Sequence, residues 1–484
     1  MKRARTTFHS AFSATAAAYA AATVAGMLAV VALAGLFFGA TGCGEGRGGG
    51  AAAGDASHVV LTIWQGFKFE EQTLFARQVE EFRARWEKAN PGRRLTVRIQ
   101  TVPYDNMVDK IKTAALARQT PDIAFVDSLK VVDLAYGRVL YPIDTLPNFG
   151  YGSIEEAGAD FVPAGFEACV VDRLGERNLY GLPAQVTCLA LFWNRALFRQ
   201  QADRLTRAGL DPTRPPRDWD EFSAYAKALT DADKGIWGYG FTKSLWFSFP
   251  VLNQYEVNIV EKDAASGRYR ATFASARGEA AIAALVRPVV VDRAEGGAWK
   301  AGGLGGDQGF LNGRYAMILM GPWFVEKFKS AGLDFGVALI PRIPDAEAAR
   351  LGIANPVSSS NIGGQSAVIF AKSRYPELAY ELIAHVASAE SQTAWADELG
   401  QIPVRLSAFP RVQATQFPEL KVFMEQIRTA RRPPPLPLYG ILETAFNAEL
   451  DLVLQEKDTI PSALKNLDAV IEKRVLSEVN ARAD

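Results

Sequence analysis

Apolar positions along the chain alternate between two periods. Val59-Val60-Leu61-Thr62-Ile63-Trp64 is a short β-rich run. Phe75, Val79, Phe82 and Trp86 then recur at steps of four, three and four, which places them on one face of a helix. Glu70 and Glu71 suit the positive end of that helix, and Asn90-Pro91-Gly92 stops it. Leu95 to Ile99 alternates as a strand does, Met107, Ile111 and Ala114 mark a second helix, and Asp122 to Val126 is a third strand after the break at Thr120-Pro121. A β-α-β-α-β order predicts a mostly parallel sheet with right-handed crossovers.

The pattern continues with a change of texture. Thr187 to Asn194 reads as one buried strand, and Trp219-Asp220-Glu221-Phe222 opens a helix. Residues 235 to 250 hold six aromatics, Trp246 among them, beside Gly and Ser; such density belongs either to a core or to a site lining. The apolar run Ala316 to Met320 ends at Gly321-Pro322, which turns Trp323 outward. Ser358 to Gln365 is a polar, glycine-containing loop before a strand at Ser366 to Phe370. Tyr375, Leu378, Leu382 and Val386 mark a further amphipathic helix, Arg431 to Leu438 carries four prolines and reads as a rigid crossover, and Ile441 to Leu476 is helical.

Composition narrows the function. The 484 residues are too many for one ordinary domain. The 53 basic residues are balanced by 53 acidic ones, which argues against nucleic acid as a partner. Lys2, Arg3 and Arg5 precede a stretch from Thr6 to Gly42 without a charge, and its exit reads Ala40-Thr41-Gly42-Cys43. A basic start, an apolar run and a small-residue exit form an export signal. The exit resembles that of a bacterial lipoprotein, with Cys43 lipidated after removal of residues 1–42; the usual Leu three places before the Cys is Ala40 here. An uncleaved membrane anchor is the alternative, because the run is long enough to span. Either puts the body outside the cytoplasm, in the periplasm or at the cell surface, and beside a membrane. Residues 43–57 are rich in Gly and Ala, a tether reaching about 20 Å.

Chemistry motifs are mostly lacking. The sequence has no P-loop, no H-E-x-x-H, no G-x-S-x-G and no zinc spacing. Cys169 and Cys188 either pair or remain buried thiols. In open parallel sheets ligands sit beyond the carboxyl ends of strands. That rule selects Gln65-Gly66-Phe67-Lys68 after the first strand and Asp127-Ser128 after the third, where Asp127 also suits a helix N-cap.

Taken in order, several segments resemble the maltose-binding-like solute-binding proteins of bacterial ABC importers. They are Thr120-Pro121-Asp122-Ile123, Tyr180-Gly181-Leu182-Pro183 leading to Phe192-Trp193-Asn194-Arg195, Trp219-Asp220-Glu221-Phe222, Gly313 to Trp323, and Gly363-Gly364-Gln365 with its strand. The resemblance runs from about Leu61 to Leu476. It implies an α/β fold of two lobes, residues 58–186 plus 366–410 and residues 187–365 plus 411–484, with crossovers near Ala184–Thr187 and Gly364–Ser366. It implies a monomer that closes on a sugar and delivers it to an ABC permease, with no cofactor, no metal and no catalysis. The residues it points to are Gln65, Phe67, Lys68, Asp127, Gln185, Trp246, Trp323, Asn361, Gln365 and Tyr439. Gln185 departs from the acidic residue found in many relatives.

These residue types suit a sugar. Trp and Tyr offer flat apolar area to the C–H face of a pyranose, and planar Asp, Gln and Asn pair with adjacent hydroxyls. A glycerol phosphate or polyol is the second reading, with Lys68 as the cation. A periplasmic carbohydrate hydrolase stands behind both, because a carboxylate pair needs only the right separation.

Overall fold

The computed structural model describes residues 57–173, 175–263, 266–434 and 438–481. The expected export segment, Cys43 and the expected tether up to Ala56 lie outside the described residues. Strand β1 (His58–Gln65) buries Val59, Leu61 and Ile63 on alternate positions. The following helix, Phe69–Ala89, lays Phe75, Val79, Phe82 and Trp86 into the same core. Gly92, at φ +86°, makes the turn into β2 (Arg94–Thr101), which pairs parallel with β1. After the helix Met107–Leu116, β3 (Ile123–Asp127) pairs parallel with the other edge of β1. The expected β-α-β-α-β unit is therefore present.

The chain then forms a hairpin of β4 (Val170–Arg173) and β5 (Glu176–Leu179) before β6 (Gly181–Thr187) joins the first sheet. Strand β7 (Ala190–Asn194) belongs to a second sheet together with β8 (Trp237–Gly240), β11 (Tyr315–Met320) and β12 (Phe335–Ala338). A small hairpin of β9 (Val260–Lys262) and β10 (Tyr269–Ala271) stands apart. The re-entrant strand β13 (Gly363–Ile369) returns to the first sheet, whose order is β2-β1-β3-β13-β6; the second runs β12-β7-β11-β8.

Three expectations are corrected. The single apolar run Thr187–Asn194 is two strands in two sheets, separated only by the fully buried Cys188 and Leu189. The sheets are mixed instead of mostly parallel: β13 is antiparallel to both β3 and β6, and only β8 pairs parallel in the second sheet. The cause in the first sheet is the route of the chain, since β13 arrives from the other lobe and enters at the end where β3 leaves. The polar segment Ser358–Gln365 is a loop only as far as Ile362, because β13 already takes in Gly363 to Gln365, and it is buried, with Ser359, Ser360 and Asn361 at most 1% exposed.

Those serines are buried because they hold the junction. Ser360 Oγ accepts from the Leu189 N–H and donates to the Leu189 carbonyl, both at 2.9 Å. The Arg431 N–H donates to the Ser360 carbonyl (3.0 Å), and Ser359 Oγ donates to the Thr429 carbonyl (2.7 Å). Three passes of the chain thus meet side by side at residues 187–190, 359–362 and 429–431. Pairing within the first sheet extends through Thr187 and resumes at Gly363, which moves the crossovers slightly from the expected positions.

Candidate functional site

The site is built at the strand ends beside this junction. Asp127, Gln365 and Gln185 stand in register across β3, β13 and β6. Gln365 Nε2 donates to Gln185 Oε1 (2.6 Å), and Gln185 Nε2 donates to Gln401 Oε1 (2.9 Å) and Glu71 Oε1 (3.3 Å). Gln365 Oε1 is buried without a hydrogen-bond partner, and a buried acceptor left so costs about 1–3 kcal/mol. Gly364 makes the arrangement possible. Its φ is +134°, and a Cβ there would lie 2.0 Å from the Gln185 carbonyl oxygen.

An aromatic pair from the other lobe stands next to that row. The turn Gly321-Pro322 after β11 folds the Trp323 ring over Gly321, where a Cβ would meet the ring at 1.7 Å. Trp323 remains 48% exposed, unusually high for a Trp, and so presents a free apolar face. Trp246 lies in the first turn of the helix Leu245–Gln254, which Ser244 caps. Its ring centroid is 5.8 Å from that of Trp323 at 51°, and the ring leans on Gly363, two residues before Gln365. The Asn361 amide fixes the backbone by donating to the Trp246 carbonyl at 2.8 Å.

A third group brings both parts of the chain together. Asp127 Oδ1 accepts from the Leu129 N–H (2.9 Å), so it is an N-cap as expected. The Tyr104 hydroxyl also faces this carboxylate. Tyr439 opens the helix Tyr439–Leu454 and Glu443 follows one turn later. The Lys130 ammonium lies 5.3 Å from the Tyr439 ring centroid. Burial holds the Asp127 carboxyl above the usual carboxylate range, opposed by the Leu129 N–H, Lys130 and Tyr104. Burial likewise raises Glu443, with Lys130 opposing and Asp127 adding to the shift. The Tyr439 hydroxyl is buried with no partner, and its ionisation is pushed up by burial and by Glu443 and Asp127.

Some expected ligand residues prove structural. The Phe67 ring is 2% exposed and packs 5.0–5.2 Å from the rings of Phe75, Phe125 and Trp395, so it belongs to the core. The strand-end rule gave the right turn but not the direction of the side chain. Gln65 is equally buried, with its amide spent on Thr101 Oγ1 (3.0 Å) and on the Phe67 N–H. Asn361 is fully buried at the junction. Lys68 is exposed beside the first helix and has no ion pair among the described residues. Cys169 and Cys188 are both free and buried: Cys169 Sγ lies 3.2 Å from Ser366 Oγ and Cys188 Sγ 3.7 Å from the Phe423 carbonyl. Burial pushes the Cys169 thiol up to about 12.

Sequence reasoning missed Glu71, Tyr104, Lys130, Gln401 and Glu443. Tyr104 follows the end of β2 and was open to the same strand-end rule. Glu443 is one helical turn from Tyr439, a spacing that the sequence displays without saying what faces it.

Two α/β lobes, crossed three times by the chain and with a candidate site at their junction, define the two-lobed binding-protein class. The chain belongs to the bacterial extracellular solute-binding protein family, whose model matches residues 72–393. A putative binding protein of Brucella abortus (strain 2308) is 22% identical over 434 residues, covering 87% of this chain and 95% of that protein. The galactooligosaccharide-binding protein of Bacillus subtilis (strain 168) is 26% identical over 310 residues, 62% of this chain and 66% of that protein. Among solved structures, the GacH receptor of Streptomyces glaucescens GLA.O superposes with a TM-score of 0.67 at 22% identity, covering 86% of this chain and 98% of that one. A cyclo/maltodextrin-binding protein complexed with maltotetraose gives 0.69 at 20% identity, covering 86% and 97%.

Proposed function

We propose that this chain is the substrate-capturing component of an ABC importer, binding a sugar or oligosaccharide between its lobes and handing it to a membrane permease. The observation that carries the reading is the exposed Trp323 face, tilted against Trp246, beside a polar row whose Gln365 Oε1 lacks a partner. A pyranose lays its C–H face on such a ring, and one of its hydroxyls completes the acceptor. Sugar-binding relatives and neighbours, the galactooligosaccharide-binding protein among them, support the same class. The reading includes a monomeric body held outside the cytoplasm by a lipid on Cys43, and it involves no covalent chemistry. A phosphate ester fits less well, because Asp127 and Glu443 would repel it.

A thermal-shift screen of the chain against mono-, di- and oligosaccharides, polyols and glycerol phosphates tests this. Ligand at about a hundred times its dissociation constant stabilises by about 2.7 kcal/mol, a shift of a few degrees for a chain of this size. A shift with one sugar family is expected. A shift with phosphate esters alone would replace the sugar reading.

A further inference from the structure

Asp127, Glu443 and Tyr439 form a cluster that a neutral sugar only partly satisfies. The Glu443 carboxylate is partly buried and makes no hydrogen bond and no ion pair among the described residues. Asp127, also partly buried, accepts from the Leu129 N–H and faces the Tyr104 hydroxyl, which leaves lone pairs unused. Independently of the carboxylates, the Tyr439 hydroxyl has no partner, although the residue is only 3% exposed; Glu443 and Asp127 are the charged groups it faces. Further acidic groups stand nearby. Asp105 acts on Tyr104, and Asp133 accepts from the Leu438 N–H at 2.8 Å. The cation acting on both carboxylates is Lys130, which lies against the Tyr439 ring.

Resting on the sugar-binding reading, we infer that this corner of the cleft takes a basic nitrogen, so that the captured carbohydrate is an amino sugar or aminocyclitol. A protonated primary amine has three N–H donors and no acceptor. Asp127, Glu443 and the Tyr439 hydroxyl are three acceptors, two of them charged, and charge-assisted hydrogen bonds are about twice as strong as neutral ones. A sugar hydroxyl can accept from the Tyr439 O–H and donate to one carboxylate, which leaves the other carboxylate unmet, whereas the ammonium meets both. Its positive charge also balances a cluster in which two facing carboxylates share one lysine. An anionic ligand would meet the opposite field.

The test is a calorimetric titration of the full chain with matched pairs near neutral pH. Glucosamine, galactosamine, mannosamine and the β-1,4-linked glucosamine tetramer are set against glucose, galactose, mannose and cellotetraose. At least one amine is expected to bind about tenfold tighter than its hydroxyl partner, a difference of about 1.4 kcal/mol. Glu443→Gln and Asp127→Asn are each expected to bring that ratio towards one. If neutral sugars bind and no amine is preferred, the inference fails and the sugar reading stands. A preference undiminished in both variants also overturns it. If neither these pairs nor the wider sugar screen give binding, both readings fall together.

Discussion

The Asp127 carboxyl has two duties that oppose each other. It caps the turn Ser128–Lys130 through the Leu129 N–H, which favours an acceptor there. Burial disfavours its charge and raises its pKa above the unfolded value of about 3.9. The sign follows by linkage. An acid that is weaker in the folded state costs stability as pH rises through the unfolded pKa, and the cost is complete above the folded one. Asp127→Asn keeps the cap acceptor and removes the charge. It is expected to melt higher than the parent chain at neutral pH, with the gap closing as pH falls through the raised folded pKa and gone below about 4, the unfolded value. Melting curves across that range check this, and a variant that melts lower at neutral pH contradicts it. The same residue scale shows where sequence reading stopped. Phe67 and Trp323 both follow a strand end, yet one ring enters the core and the other is half exposed. Local sequence marks the turn; which way the ring swings depends on Phe75, Phe125 and Trp395, and Trp395 lies more than three hundred residues away.

At the scale of elements, periodicity made the first strands and helices legible because their burial pattern is local. The direction of β13 was not legible, since it depends on the chain having left for the second lobe and returned. Nor was the break between β6 and β7, because Cys188 and Leu189 are as apolar as the strands they separate. The junction itself reads as a polar loop and is a buried clasp. Ser360→Ala removes both bonds to Leu189 and leaves its N–H buried and unpaired, at a cost of about 1–3 kcal/mol. A lower denaturant midpoint with an unchanged slope is expected. An unchanged midpoint would mean that Ser360 does not hold the crossover.

For the whole molecule, the fold of two lobes and the family were legible from motif order, while the pairing of parts across the junction was not. The Gln365–Gln185 bond joins positions 180 residues apart, and the approach of Tyr439 to Asp127 joins positions still further apart. Such pairings are consequences of lobe geometry, and no local pattern encodes them. The same geometry brings an exposed ring from one lobe beside an unsatisfied polar row on the other, which is the basis of the capture model. Calorimetric titration of Trp323→Ala beside the parent chain, using the sugar that gives the largest thermal shift, tests that model most directly. Trp323 is half exposed, so the unliganded variant is expected to melt within a degree or two of the parent (surface changes are worth about 0.5 kcal/mol). Its affinity is expected to be at least about tenfold weaker, the loss of about 1.4 kcal/mol of stacking. Equal affinity in the two proteins would contradict the model, as would the absence of binding to any sugar.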